Sequence, residues 1–428
     1  MHLTWFQIVR LGFVQMALGA IVVLTTSTLN RLMVVEFALP AVLPGALVGL
    51  HYGIQLSRPK WGFISDKGGN RTAWIIGGMA VLALGGLLAA YAVTLFAASY
   101  ALALGLSLLA YAAIGLGVGA SGTSLLALLA TTTAPHRRAA AATITWLMMI
   151  FGIAMTAGLS GGFLDPYSPA RLMAVVAVVV TAAMLLTIIA VGRIERGLIV
   201  TQQEPATPFI EGLREIWSEP RARNFTLFVF LSMNAYFMQE LILEPYAGLV
   251  FNFTPGQSTQ LSGAQNGGVF LGMLTVGIMA TGLKRGSLRA WVTAGCLGSA
   301  GLLGLIALNG TGASFAPLTA LVTGLGFFNG MFAVAAIGSM MALASDGRER
   351  REGTRMGLWG AAQAIAAGFG GLTGTAAVDI LRTTMPDGAA FGAVFTFEAF
   401  LFVAAALMAL RILDRTTAQG SPALVPGE

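Results

Sequence analysis

Apolar positions run along this chain in blocks of about twenty, and short polar stretches interrupt them. A block of that length crosses the ~30 Å hydrocarbon core of a bilayer as one helix. Twelve blocks can be traced, at roughly 10–29, 40–58, 73–95, 98–130, 141–163, 171–192, 224–249, 262–283, 288–309, 314–343, 356–378 and 391–411. Two of them exceed a single crossing, which implies tilt or extension past the bilayer. The pattern predicts an all-α polytopic membrane protein with twelve transmembrane helices. Two six-helix bundles occupy 1–192 and 224–415, joined by a polar linker at 193–223 and followed by a tail at 416–428.

Composition agrees. Of 428 residues, 56% are hydrophobic and 10% charged, against roughly 25% charged in soluble domains. Glycine, at 55 residues, suits close helix contact in a membrane. The single cysteine, Cys296, excludes an intrachain disulfide and cysteine-rich metal sites. The first apolar block is followed by many more, so it reads as a retained helix and not a cleaved signal. The formal charge of +6 does not point to nucleic acid, because the basic residues lie in short loops between blocks. With the N-terminus inside, 21 of the 24 Lys and Arg fall on the inner side, and only Arg31, Arg171 and Arg382 fall outside. The positive-inside rule then predicts cytoplasmic termini. Trp5 and Phe6 read as interface anchors.

The two halves echo each other. Gly62–Arg71 follows block two and Gly282–Gly286 follows block eight; Pro135–Arg138 follows block four and Asp346–Arg355 follows block ten. Such halves mark repeat-built transporter folds. The stretch Gly62-Phe63-Ile64-Ser65-Asp66-Lys67-Gly68-Gly69-Asn70-Arg71 resembles the signature between helices two and three of the major facilitator superfamily. Its glycines permit a tight turn, and Asp66 can face a helix N-terminus or a cation. A generic turn is the plainer reading. Block four carries no charged residue, and Phe151–Gly162 contains four glycines without a proline. Both depart from the proton-coupled drug transporters of that superfamily.

Other stretches resemble a narrower family. They are Leu29-Asn30-Arg31 with Glu36 and Pro40, His51-Tyr52-Gly53-Ile54-Gln55, Gln239-Glu240, Glu244-Pro245-Tyr246-Ala247-Gly248, and Gly357-Leu358-Trp359-Gly360-Ala361-Ala362-Gln363-Ala364. In this order they look like the PucC/LhaA (bacteriochlorophyll delivery) family, from about residue 5 to 411, and like its subgroup associated with bacteriochlorophyll synthesis. The resemblance implies a role in assembling photosynthetic complexes in a bacterial inner (intracytoplasmic) membrane. It implies bound bacteriochlorophyll or a late precursor, and bacteriochlorophyll synthase or light-harvesting polypeptides as partners, among membrane lipids.

On that footing His51, Gln55, Gln363 and Glu398 are the candidate pigment-binding residues. His51 lies ~16 Å along its helix from Pro40 and ~10 Å from Arg58. Gly45, Gly49 and Gly53 form a small-residue stripe, and His51 points roughly 200° away from it. It should therefore face a cavity or lipid, where its imidazole is either an axial ligand of a chlorin magnesium or a group hydrogen-bonded to a neighbour. Gln363 and Glu398 lie inside blocks eleven and twelve; each either meets a pigment carbonyl or, more simply, bonds between helices.

Glu240 and Glu244 fall ~22 and ~28 Å along block seven from Phe225, one turn apart on one face. Like charges there repel unless protonated or paired. Arg31 and Glu36 reach the same level at the end of block one, so Arg31 is a predicted partner of Glu240 or Glu244. With Gly62, Asp66 and Arg71, these residues form the candidate structural motif or gate. The charge-dense Asp346–Arg355 reads as a solvated loop that also suits anionic headgroups.

Three functions fit. The first is non-enzymatic pigment delivery. The second is secondary transport of an amphipathic small molecule, which predicts a polar central cavity. The third is a non-catalytic partner subunit of the pigment synthase; catalysis itself would need clustered carboxylates to hold magnesium and diphosphate, and no Asp-rich motif lies within the blocks.

Overall fold

The computed structural model describes residues 2–57, 70–134, 137–195, 217–283, 285–313, 316–345 and 352–413. Gly62 and Asp66, most of the 193–223 linker, most of the Asp346–Arg355 loop and the tail lie outside the described residues. Among the described residues the chain forms twelve long helices and no strand. Helix α1 runs Trp5–Val23 and continues through π-wound segments to Glu36. It is followed by α2 (Val42–Gln55), α3 (Arg71–Thr94), α4 (Tyr100–Thr132), α5 (Arg138–Leu164) and α6 (Pro169–Val191). The second half comprises α7 (Pro220–Phe251), α8 (Pro255–Val276, π-wound to Gly282), α9 (Leu288–Asn309), α10 (Leu318–Ser345), α11 (Glu352–Arg382) and α12 (Asp387–Ile412).

Ten of these helices are long and apolar enough to cross a membrane. The other two are α2, with 14 residues, and α8, whose first turns carry Gln257, Ser258, Thr259, Gln260, Ser262, Gln265 and Asn266. Helix starts follow local chemistry. Thr4 and Gln7 make a reciprocal capping box for α1, and Thr254 with Gln257 does the same for α8.

The packing repeats. In the first half α1 lies against α5 and α6, α3 against α4 and α6, and α2 against α4. In the second, α7 lies against α11 and α12, α9 against α10 and α12, and α8 against α10. The halves meet through α5 with α8 and α2 with α11, a pair of contacts equivalent under the same two-fold. Both halves use close glycine contacts, as at Gly330 of α10 against Val269 of α8, and the two cores differ in their rings. Between α3 and α4 the backbones approach until a Cβ at Gly117 would lie 2.5 Å from Leu82 N. The second core is filled by rings, with Phe228 and Phe402 each edge-on to Phe332 at 6.3 and 6.0 Å. Leu84, Phe163, Val178, Ile189, Ile380 and Phe400 stand largely exposed on the flanks, the surface a bilayer would cover.

Candidate functional site

Helix α2 is held on two sides. Gly45 faces Thr375 of α11, and Gly49 approaches Gly368 O, so the glycine stripe marks a close contact between halves. The opposite side does not face lipid or a cavity. It packs on α4, where a Cβ at Gly115 would meet His51 O at 2.7 Å. His51 is therefore only 2% exposed, a correction to the expected orientation, and its cause is that a second helix covers the far side of the stripe. Gln55, one turn on, donates its amide to His51 Nε2 at 2.8 Å. The imidazole also sits edge-on to Tyr52, which continues edge-on to Phe237 of α7.

The face opposite the chain termini is closed by charges. Arg31 forms an ion pair with Glu36 and donates to Phe253 O at 2.7 Å. Its expected pairing with Glu240 or Glu244 is thereby replaced. The Leu32–Glu36 segment is π-wound, hydrogen-bonding i to i+5, which brings residues five apart onto one side. Burial, then the Glu36 carboxylate, push the nearby Tyr167 phenol above its usual value, while Arg31 pulls it down. Two aspartates cap helices across the halves. Asp379 of α11 accepts from Ala41 N and Val42 N at 3.0 and 2.7 Å at the start of α2. Asp165, after α5, accepts from Gly256 N at 3.1 Å and from the Thr254 hydroxyl at the start of α8. These are the same device at two equivalent positions, a carboxylate on the positive end of a helix. At the other face Arg71 donates to Ala127 O and Thr131 of α4, and its backbone N–H donates to Glu195, so it ties α3 to its neighbours.

Between the halves lies a polar cavity of about 40 Å³, lined from α1 by Thr26 and Ser27, from α7 by Tyr236, Glu240 and Glu244, and from α8 by Ser262, Gln265 and Asn266. The α1 wall is a π-wound run, Leu24–Thr28, in which the hydroxyls of Thr25 and Thr26 both bond Val22 O. Such back-bonding and π turns bend a helix and recur at functional sites. Ser27 donates to the Glu244 carboxylate. Glu240 and Glu244 share one face of α7, as their four-residue spacing predicts, and the cavity they line is not evident from that spacing. Its signal was the unbroken Thr25-Thr26-Ser27-Thr28 run.

Two further concavities lie on the flanks. The larger, about 780 Å³, runs between α1, α5 and α6, lined by Ala17, Ala20, Leu159, Ala174, Val178 and Ala182 among others, with Asp165 and Arg171 at one end. Its counterpart between α7, α11 and α12 is about 410 Å³, with Asn234 and Thr373 among Phe369, Phe397 and Leu401. The remaining pigment candidates do not join these sites. Gln363 donates to Met233 Sδ at 3.7 Å, a contact between α11 and α7. Glu398 is fully enclosed, and neither carboxylate oxygen has a hydrogen-bond partner among the described residues, so the expected interhelical bond is not formed there. Among the described residues no cluster of three or more His, Cys, Asp or Glu is arranged to hold a metal ion.

Two six-helix halves related by a pseudo-two-fold, with a polar cavity at their junction, define a membrane protein of the major facilitator fold. A solved structure of the nucleoside transporter NupG superposes with a TM-score of 0.71 at 14% identity, covering 95% of this chain and 99% of its own. A bacterial homologue of the human lysosomal transporter Spinster, inward-facing and unoccupied, gives 0.65 at 15% identity over 96% of both chains. Within that fold the chain belongs to the PUCC protein family, whose family model matches residues 28–417. It is 64% identical, over the full length of both, to the "Bacteriochlorophyll synthase 44.5 kDa chain" of Rhodobacter capsulatus. Protein PucC of Cereibacter sphaeroides is 30% identical, covering 93% of this chain and 90% of that protein.

Proposed function

We propose that the chain is a non-enzymatic carrier that takes bacteriochlorophyll or a late precursor from its synthesis to the photosynthetic complexes. The observation that carries this reading is the α1–α5–α6 groove of about 780 Å³. Ligand sites usually span ~300–1,000 Å³ and are mostly apolar with a few polar groups. This groove fits that description, and it opens on the flank, where a water-insoluble macrocycle can move between membrane and protein. Arg171 at its end would pair with the free carboxylate of an unesterified precursor. Direct hand-over also has a physical rationale, since a free chlorin is phototoxic and nearly insoluble in water. The full-length likeness to a protein named as a synthase chain supports that synthase as a partner, with light-harvesting polypeptides downstream. The 21-to-3 loop asymmetry supports cytoplasmic termini in the inner, intracytoplasmic membrane.

The polar cavity lends support to a second reading, secondary transport of an amphipathic small molecule. Titrating bacteriochlorophyll into the purified, detergent-solubilised chain separates the two. Delivery predicts saturable quenching of pigment fluorescence near one equivalent, abolished by Ala174→Trp. Absence of saturable binding, together with ion-driven uptake by proteoliposomes, favours transport.

A further inference from the structure

The cavity between the halves gathers two carboxyl groups and has no lysine or arginine on its wall. Glu240 and Glu244 line it from one face of α7. Glu244 is 2% exposed and accepts from the Ser27 hydroxyl, which supplies no charge. Glu240 forms no hydrogen bond or ion pair among the described residues. The nearest cation, Arg31, is engaged by Glu36 and Phe253 O and lies off the cavity wall, so it reaches Glu244 only through space. The remaining titratable group on the wall is the Tyr236 phenol. An uncompensated buried carboxylate is costly, so such a group is protonated, paired or given an ion.

The neutral groups on the wall point the same way. Gln265 lines the cavity at 8% exposure, and its amide makes no hydrogen bond among the described residues. Asn266 spends its amide N–H on Ser262 O at 3.0 Å, which leaves its Oδ1 as an acceptor. Carboxylate, amide and hydroxyl oxygens are the donor set of a hard cation. The volume, about 40 Å³, exceeds the ~10–15 Å³ one water needs. It gives little room to Mg²⁺, which keeps several waters, and the set has too few carboxylates for a typical Ca²⁺ shell.

We propose that this cavity is a binding site for one small monovalent cation, of the class of Na⁺, held by Glu240, Glu244 and Gln265 at the junction of the two halves. The three ligands come from α7 and α8, and the first half joins them through Ser27 of α1, which donates to Glu244. The proposal does not depend on the pigment reading.

The test is thermal unfolding of the full chain in detergent, at fixed pH, in NaCl against choline chloride at equal ionic strength, so that screening is the same in both. Na⁺ should raise the unfolding temperature saturably, and the protein should retain one ²²Na⁺ per chain. Glu240→Gln should abolish the Na⁺ increment. In choline it should unfold at or above the wild-type temperature, because a neutral amide costs less to bury beside Glu244 than a second carboxylate does. That second readout separates a lost site from a misfolded variant. Gln265→Leu should raise the half-saturating Na⁺ concentration about tenfold. Superimposable curves in Na⁺ and choline would overturn the proposal, as would a Na⁺ increment that survives Glu240→Gln. So would a response to Ca²⁺ or Mg²⁺ in place of Na⁺. Pigment absorbance, read on the same samples, reports on the delivery reading separately.

Discussion

The two flank grooves occupy equivalent places in the repeat and have diverged. The α1–α5–α6 groove measures about 780 Å³ and its α7–α11–α12 counterpart about 410 Å³. Six of the residues lining the first are alanine or glycine, against two alanines in the second, and small side chains are what open the space. The first also has an arginine at its end, while the second has the buried amide of Asn234 and no charged residue. The repeat thus presents one wide groove lined by small residues and one narrow groove lined by larger ones. On the proposed reading, that difference puts the cargo in the first half.

The strongest way to break that assignment is to fill the larger groove. Ala174→Trp with Ala182→Trp adds two indoles at exposed positions and leaves the cores untouched. Pigment retained on purification should fall to a tenth or less, a loss of ~1.4 kcal/mol or more in binding, with protein yield unchanged. His51→Leu sharpens the comparison from the other side. It removes the imidazole that Gln55 bonds inside the first half, so stability should fall by about 1–3 kcal/mol in a reversible unfolding assay. Pigment stoichiometry should hold. Pigment lost without destabilisation would move the site from the groove to α2.

A smaller effect is expected where the halves are stapled. Asp379→Ala removes the cap on α2 and should cost ~0.5–2 kcal/mol. The readout is faster proteolysis or deuterium exchange at the start of α2. Asp165→Ala tests the equivalent cap at α8. The smallest change is expected in the narrow groove. Asn234 buries an amide oxygen with no hydrogen-bond partner among the described residues. Asn234→Leu should therefore shift stability by less than ~0.5 kcal/mol, or raise it, and leave pigment unchanged.

Much of the architecture is legible in the sequence. Hydropathy located the helices because each must satisfy its backbone internally within hydrocarbon, and the echo of loops between the halves anticipated the repeat. The exceptions have local causes. α8 begins at Pro255, ahead of its apolar block, since its polar first turns pack on the first half, with Thr259 bonded to Thr28 and Gly256 against Gly161, and do not face lipid. α1 runs to Glu36 through π turns that a 3.6-residue period does not reveal, which is why Arg31 was assigned the wrong carboxylate. The glycine stripe on α2 correctly marked a close contact. The reading failed in supposing only one such contact: α4 covers the other side, and His51 is enclosed. The grooves were not legible at all. Each lining joins two consecutive helices to a third more than a hundred residues away, and small residues on a flank look the same as those in a tight interface.

The central claim is that the wild-type chain carries a bacteriochlorin in its first-half groove. An absorption spectrum of the protein, purified in mild detergent from a bacteriochlorophyll-producing cell, tests it most directly. The account predicts a near-infrared band at close to one pigment per chain that disappears in the Ala174→Trp, Ala182→Trp variant while remaining in His51→Leu. A colourless wild-type preparation, or a band that persists unchanged in the filled-groove variant, would contradict it.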